Sequence, residues 1–139
     1  MAEATPDVGG LESSNIVEMV DSSSLVDFTG TPTSSTIVHV KKLKTFSLFV
    51  EAIPQTSQAI HMKIQSSPHA DQSVWYTQGN GDVSDADLQT WVFKQATNVL
   101  PIELGPFEGA SEYLKVIYGY VGGAGTGASL KVYLMGRSQ

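Results

Sequence analysis

TFSLFVEAIPQTSQAIHMKIQSSPHADQSVW, residues 45–75, decides the fold class of this chain. Phe46, Leu48 and Val50 alternate with Ser47, Phe49 and Glu51, the two-residue period of a strand with one buried face. After a turn-like run at residues 54–57, Ile60, Met62 and Ile64 alternate with His61, Lys63 and Gln65. Read locally, the two runs form an antiparallel hairpin with one wet face, ended by Ser66, Ser67 and Pro68 and followed by Trp75 and Tyr76.

The same alternation recurs downstream. Leu114, Val116, Tyr118 and Tyr120 alternate with Lys115, Ile117 and Gly119, and Leu130, Val132 and Leu134 alternate with Lys131, Tyr133 and Met135. The glycine-rich run at residues 122–127 between them reads as a hairpin loop, because glycine accepts nearly any backbone angle. Trp91, Val92 and Phe93 have β character, and residues 99–104 make a further short strand broken at Gly105-Pro106. About seven short strands without an amphipathic helix define an all-β fold, an antiparallel β-sandwich of jelly-roll or immunoglobulin-like type.

The chain has 139 residues and no cysteine, enough for one core without disulfide staples or thiolate chemistry. The acidic amino terminus is expected not to be a secretory signal, no run reaches the length of a membrane span, and the expected setting is a soluble protein made in a host cytoplasm. The net charge of -6 belongs to residues 1–40, which carry Glu3, Asp7, Glu12, Glu18, Asp21 and Asp27 and no Lys or Arg. Residues 41–139 are neutral. Lys41, Lys42 and Lys44 are the only grouped cations and read as a solvated strand edge, so neither nucleic acid nor a membrane is an expected partner.

Residues 1–34 are therefore expected to be an extended amino-terminal arm and linker, and 35–139 the sandwich. Within the arm, Ile16, Val17, Met19, Val20, Leu25, Val26 and Phe28 form two apolar pieces too short to stand alone. They must pack either on their own sandwich or on a neighbouring subunit, and they are the candidate partner-binding residues. The loops at residues 78–87 and 122–127 are expected as exposed tips, with a single helical turn capped by Ser84 in the first.

Several patterns imitate chemistry without its context. The glycines at residues 123–127 precede a strand, whereas a phosphate loop needs a helix. Asp82, Asp85 and Asp87 lack the glycine and distant glutamate of an EF-hand. His39, His61 and His69 lack metal-ligand spacing, and His69 with Asp71 is the nearest approach to a base and its orienter. No catalytic residue, cofactor or metal is assigned. Trp75, Tyr76 and Trp91 flank the acidic loop and are expected to make core or subunit contacts; their alternative role is a sugar platform, since aromatic faces beside polar groups can stack on sugar rings.

The run QSSPHADQSVW at residues 65–75, the later EYLKV at 112–116, the glycine-rich connection and the final strand together resemble small β-sandwich head decoration (cement) proteins of tailed bacteriophages. In that family a Ser-Pro-Asp-Gly turn precedes the Trp; here His69 and Ala70 intervene before Asp71 and no glycine follows it. The resemblance spans residues 45–135 and leaves the first 40 unmatched. It implies a structural virion protein on the capsid surface, with the major capsid protein and further copies of itself, as dimer or trimer, for partners. A carbohydrate-binding module on a virion or tail is the alternative.

Overall fold

The computed structural model describes residues 16–54, 58–79, 89–94, 100–108, 111–122 and 128–137. The strands in chain order are β1 (Ile16–Ser22), β2 (Thr33–Ser34), β3 (Val38–His39), β4 (Thr45–Ile53), β5 (Ala59–Ser67), β6 (Tyr76–Thr77), β7 (Trp91–Phe93), β8 (Leu100–Glu108), β9 (Tyr113–Val121) and β10 (Ser129–Arg137). They form two antiparallel sheets, one of four strands in the order β1-β10-β4-β8 and one of six in the order β2-β9-β5-β6, with β3 also on β9 and β7 also on β5. The chain is an all-β sandwich.

The alternating side chains explain why two sheets close on one another. Leu48, Val50, Leu130, Val132 and Leu134 point inward from the four-stranded sheet, and Ile60, Met62, Leu114 and Val116 point inward from the other. Each such side chain contributes about 1.5–3 kcal/mol on burial. Facing layers about 10 Å apart are filled by these side chains. The inward and outward phases of β4, β5, β9 and β10 match the alternation in the sequence.

The pairing differs from the local reading. β4 and β5 are not a hairpin: β4 lies between β10 and β8, whereas β5 lies in the opposite sheet beside β9. β9 and β10 likewise belong to different sheets. Alternation reveals which face is buried but not which strand lies alongside, and two amphipathic strands joined by a short link satisfy it equally well as neighbours or across the core. Among the described residues, the only strands consecutive in the chain that pair are β5 and β6.

Other boundaries also shift. β8 continues through Gly105-Pro106, taking up the irregularity opposite residues 46–48, with Gly105 at φ 114°, a conformation suited to glycine. The segment expected as linker contributes β2, which pairs with Tyr118 and Ile117. The sandwich also takes in β1, which runs along β10 from Ile16 to Ser22. Lys41 and Lys42 lie in a turn, closed by the Leu43 N–H donating to the Val40 carbonyl at 2.9 Å, and not along a strand edge. Most of the loop at 78–87, its capped turn, the acidic residues Asp82, Asp85 and Asp87, and nearly all of 122–127 lie outside the described residues.

Candidate interaction surfaces

The seven apolar residues before residue 29 divide by exposure. Met19, Val20 and Leu25 are buried in the core of their own chain, and Val17 packs against it. The consecutive burial of Met19 and Val20 breaks strict alternation, and it coincides with the register irregularity between Glu18 and Val20. The Met19 carbonyl accepts from the Thr36 N–H at 3.2 Å. These three core residues are spent on the fold and present no surface to a partner. Ile16, at 60% exposure, and Val26, at 46%, remain outside.

Phe28 belongs to neither group. Its N–H donates to the Tyr120 carbonyl at 2.9 Å, and the Tyr120 N–H donates to the Val26 carbonyl at 2.9 Å, so residues 26–28 are tied to β9 through a parallel bridge at Asp27. The crossing needs Gly119, because a Cβ there would stand 2.6 Å from the Val26 carbonyl oxygen and 2.7 Å from the Phe28 Cα. The Phe28 ring lies 5.6 Å from that of His61, and the Lys63 Nζ is 5.8 Å from the Phe28 centroid.

The aromatic trio is not one platform. Trp91 sits opposite Met62 on β5, partly buried against the core, and meets Phe107 edge-on with centroids 6.1 Å apart. Trp75 lies over the outer face of the six-stranded sheet, where the Lys115 Nζ is 4.6 Å from its ring centroid, a cation–π contact. Tyr76, 51% exposed, leans over a cleft on the other side, with its hydroxyl 3.3 Å from the His69 Nε2.

That cleft, about 520 Å³, opens between the sheets where β6 faces β8. Phe46, Ile64, Phe107 and Leu114 give it an apolar wall, and the buried Ser111 hydroxyl beside them has no hydrogen-bond partner among the described residues. Sequence reading missed it, since its walls come from four strands far apart in the chain.

Titratable groups are dispersed. The His39 Nε2 lies 2.8 Å from Glu112, whose other carboxylate oxygen is 3.8 Å from the Lys41 Nζ. His69 and Asp71 engage different groups: His69 meets Tyr76, and Asp71 accepts from the Ser73 N–H at 3.0 Å. The Ser73 hydroxyl, then its N–H, hold the Asp71 carboxyl below its usual range. Burial, followed by the charges of Lys63 and Lys94, pushes His61 below the ordinary histidine value. Burial also lowers Lys115 and raises Tyr118. Among the described residues no three His, Asp or Glu side chains converge on a point where a metal ion would sit.

The fold and its surfaces define a β-sandwich whose exposed chemistry lies on open faces and one inter-sheet cleft. No protein family, curated protein or solved structure matches the chain.

Proposed function

We propose that this chain is a non-catalytic structural protein of a virion, a decoration protein that binds the outer surface of a phage head and stabilises it by bridging capsid subunits. The observation that carries this reading is the pair Ile16 and Val26. Both are apolar side chains left outside the core, Ile16 at the start of β1 opposite Met135 and Val26 against β9 at Tyr120, and Glu3, Asp7 and Glu12 precede Ile16 in the sequence. Exposed aliphatic side chains in a chain whose first segment is acidic in sequence suit a protein partner better than a small substrate. The pattern resemblance of residues 45–135 to head decoration proteins supports the same reading. Many weakly held copies, each touching two capsid subunits, would add to a large stabilisation through multivalency.

The test is co-sedimentation of the full-length chain with undecorated expanded phage heads. Saturable pelleting with the heads supports the proposal, and a protein left wholly in the supernatant counts against it.

A carbohydrate-binding role is the second reading, and the exposed Tyr76 at the mouth of the inter-sheet cleft favours it. Lys115 already occupies a face of Trp75, so a sugar would have to displace or bind beside that ammonium. Quenching of tryptophan fluorescence by a set of polysaccharides would support this role.

A further inference from the structure

Among the described residues, the strands of the two sheets carry opposite charge. Strands of the six-stranded sheet contain Lys63 and Lys115 and no Asp or Glu, and Lys94 follows β7 directly. Strands of the four-stranded sheet contain Glu18, Asp21, Glu51, Glu103 and Glu108 against Lys131 and Arg137. Among the described residues, no carboxylate stands within ion-pair distance of Lys63, Lys94 or Lys115. Two described acids lie beside this sheet. Asp27 accepts from the N–H and hydroxyl of Thr29, and Glu112 holds His39.

Each face also has an apolar centre. One row across the four-stranded sheet reads Glu18, Tyr133, Phe49, Glu103, with two half-buried aromatic side chains between two exposed carboxylates. Three strand spacings make that row roughly 14 Å wide. On the other sheet, Phe28 beside Lys63 and Trp75 beneath Lys115 place rings next to ammonium groups. An apolar centre flanked by charge is the anatomy of a protein interface, and here the two signs reside on one molecule.

We propose that a second copy of this chain docks on the outer face of the six-stranded sheet, presenting the outer face of its own four-stranded sheet. The contact is heterologous, front to back, so copies close into a ring or continue as a stack. Carboxylates such as Glu51 and Glu103 of one copy meet Lys63 and Lys115 of the next. A standard interface takes about 800 Å² from each partner, about a tenth of the 7740 Å² surface of this chain, which a sheet face can supply. This association is independent of head binding, since it involves the chain alone.

Sedimentation velocity of the full-length protein across the micromolar range, at low and at molar salt, tests the proposal together with two double variants. Lys63→Glu with Lys115→Glu makes both faces negative, and Glu51→Lys with Glu103→Lys makes both positive. The wild type should associate reversibly and dissociate in high salt. Each double variant should self-associate on the order of a hundredfold more weakly. An equimolar mixture of the two should recover association, because reversed faces complement one another. Circular dichroism and thermal melts confirm that the variants are folded. A wild type that stays monomeric at low salt, variants that associate as it does, or a mixture that fails to recover would each overturn the proposal.

Discussion

The backbone of Phe28 passes so close over Gly119 that its nitrogen would stand 2.7 Å from any Cβ placed there. One missing side chain on β9 thus lets the segment before the linker lie down on the sandwich. Gly119→Ala should lift residues 26–28 and cost about 1–3 kcal/mol, the usual penalty of overpacking against backbone that must shift. Urea denaturation measures the loss, and a changed His61 ring resonance would report that Phe28 has moved away.

Exposure distinguishes the residues that build the fold from those left over. Met19→Asp places a carboxylate in the core and should destabilise by several kcal/mol or prevent folding, whereas Ile16→Asp should change stability by no more than about 0.5 kcal/mol. Thermal melts of the two variants check this. Equal effects would mean that β1 is not part of the sandwich.

The crossing of β4 and β5 between sheets is testable because the chain has no cysteine of its own. Glu51 and Lys131 are opposed on β4 and β10, so Glu51→Cys with Lys131→Cys should form an intramolecular disulfide under mild oxidation. Glu51→Cys with His61→Cys should not, since those side chains point outward from opposite sheets. A hairpin would reverse the two results.

His61 sets a pH dependence whose sign follows from its surroundings. Its folded value lies below the ordinary 6.5, first through burial and then through Lys63 and Lys94, so the unfolded chain takes up a proton before the folded one. This contribution to stability is therefore intact above pH 6.5, declines as pH falls below it, and levels off beneath the folded value. His61→Gln should lose less stability than the wild type between neutral and mildly acidic pH, measured by denaturant midpoints across that range. Parallel pH profiles would refute the assignment.

The existence and phase of β4, β5, β9 and β10 were legible in the sequence. Leu48, Ile60, Val116 and Leu134 each sit where strict alternation puts a core residue. Partnership was not, because β4 to β5 and β9 to β10 are short in sequence yet cross the core. That crossing also hid the charge asymmetry. Lys63 and Lys115 become neighbours of one face only once β5 and β9 are known to pair, and Glu18, Glu51 and Glu103 become another only through β1-β10-β4-β8. Trp91 packs on the core, one of the roles its sequence allowed, but a strand of three residues shows too little period to reveal that its side chain meets Phe107. The apolar segment at residues 16–28 was visible, but its division into core and surface depends on an irregularity near Met19 and a crossing over Gly119.

The most direct measurement of the proposed role is co-sedimentation with undecorated expanded phage heads, comparing wild type with the double variant Ile16→Asp, Val26→Asp. Both substitutions lie on exposed positions and should leave the sandwich folded. The proposal predicts saturable pelleting of the wild type with the heads and loss of most binding in the variant. Equal pelleting of the two, or none by either, would contradict it.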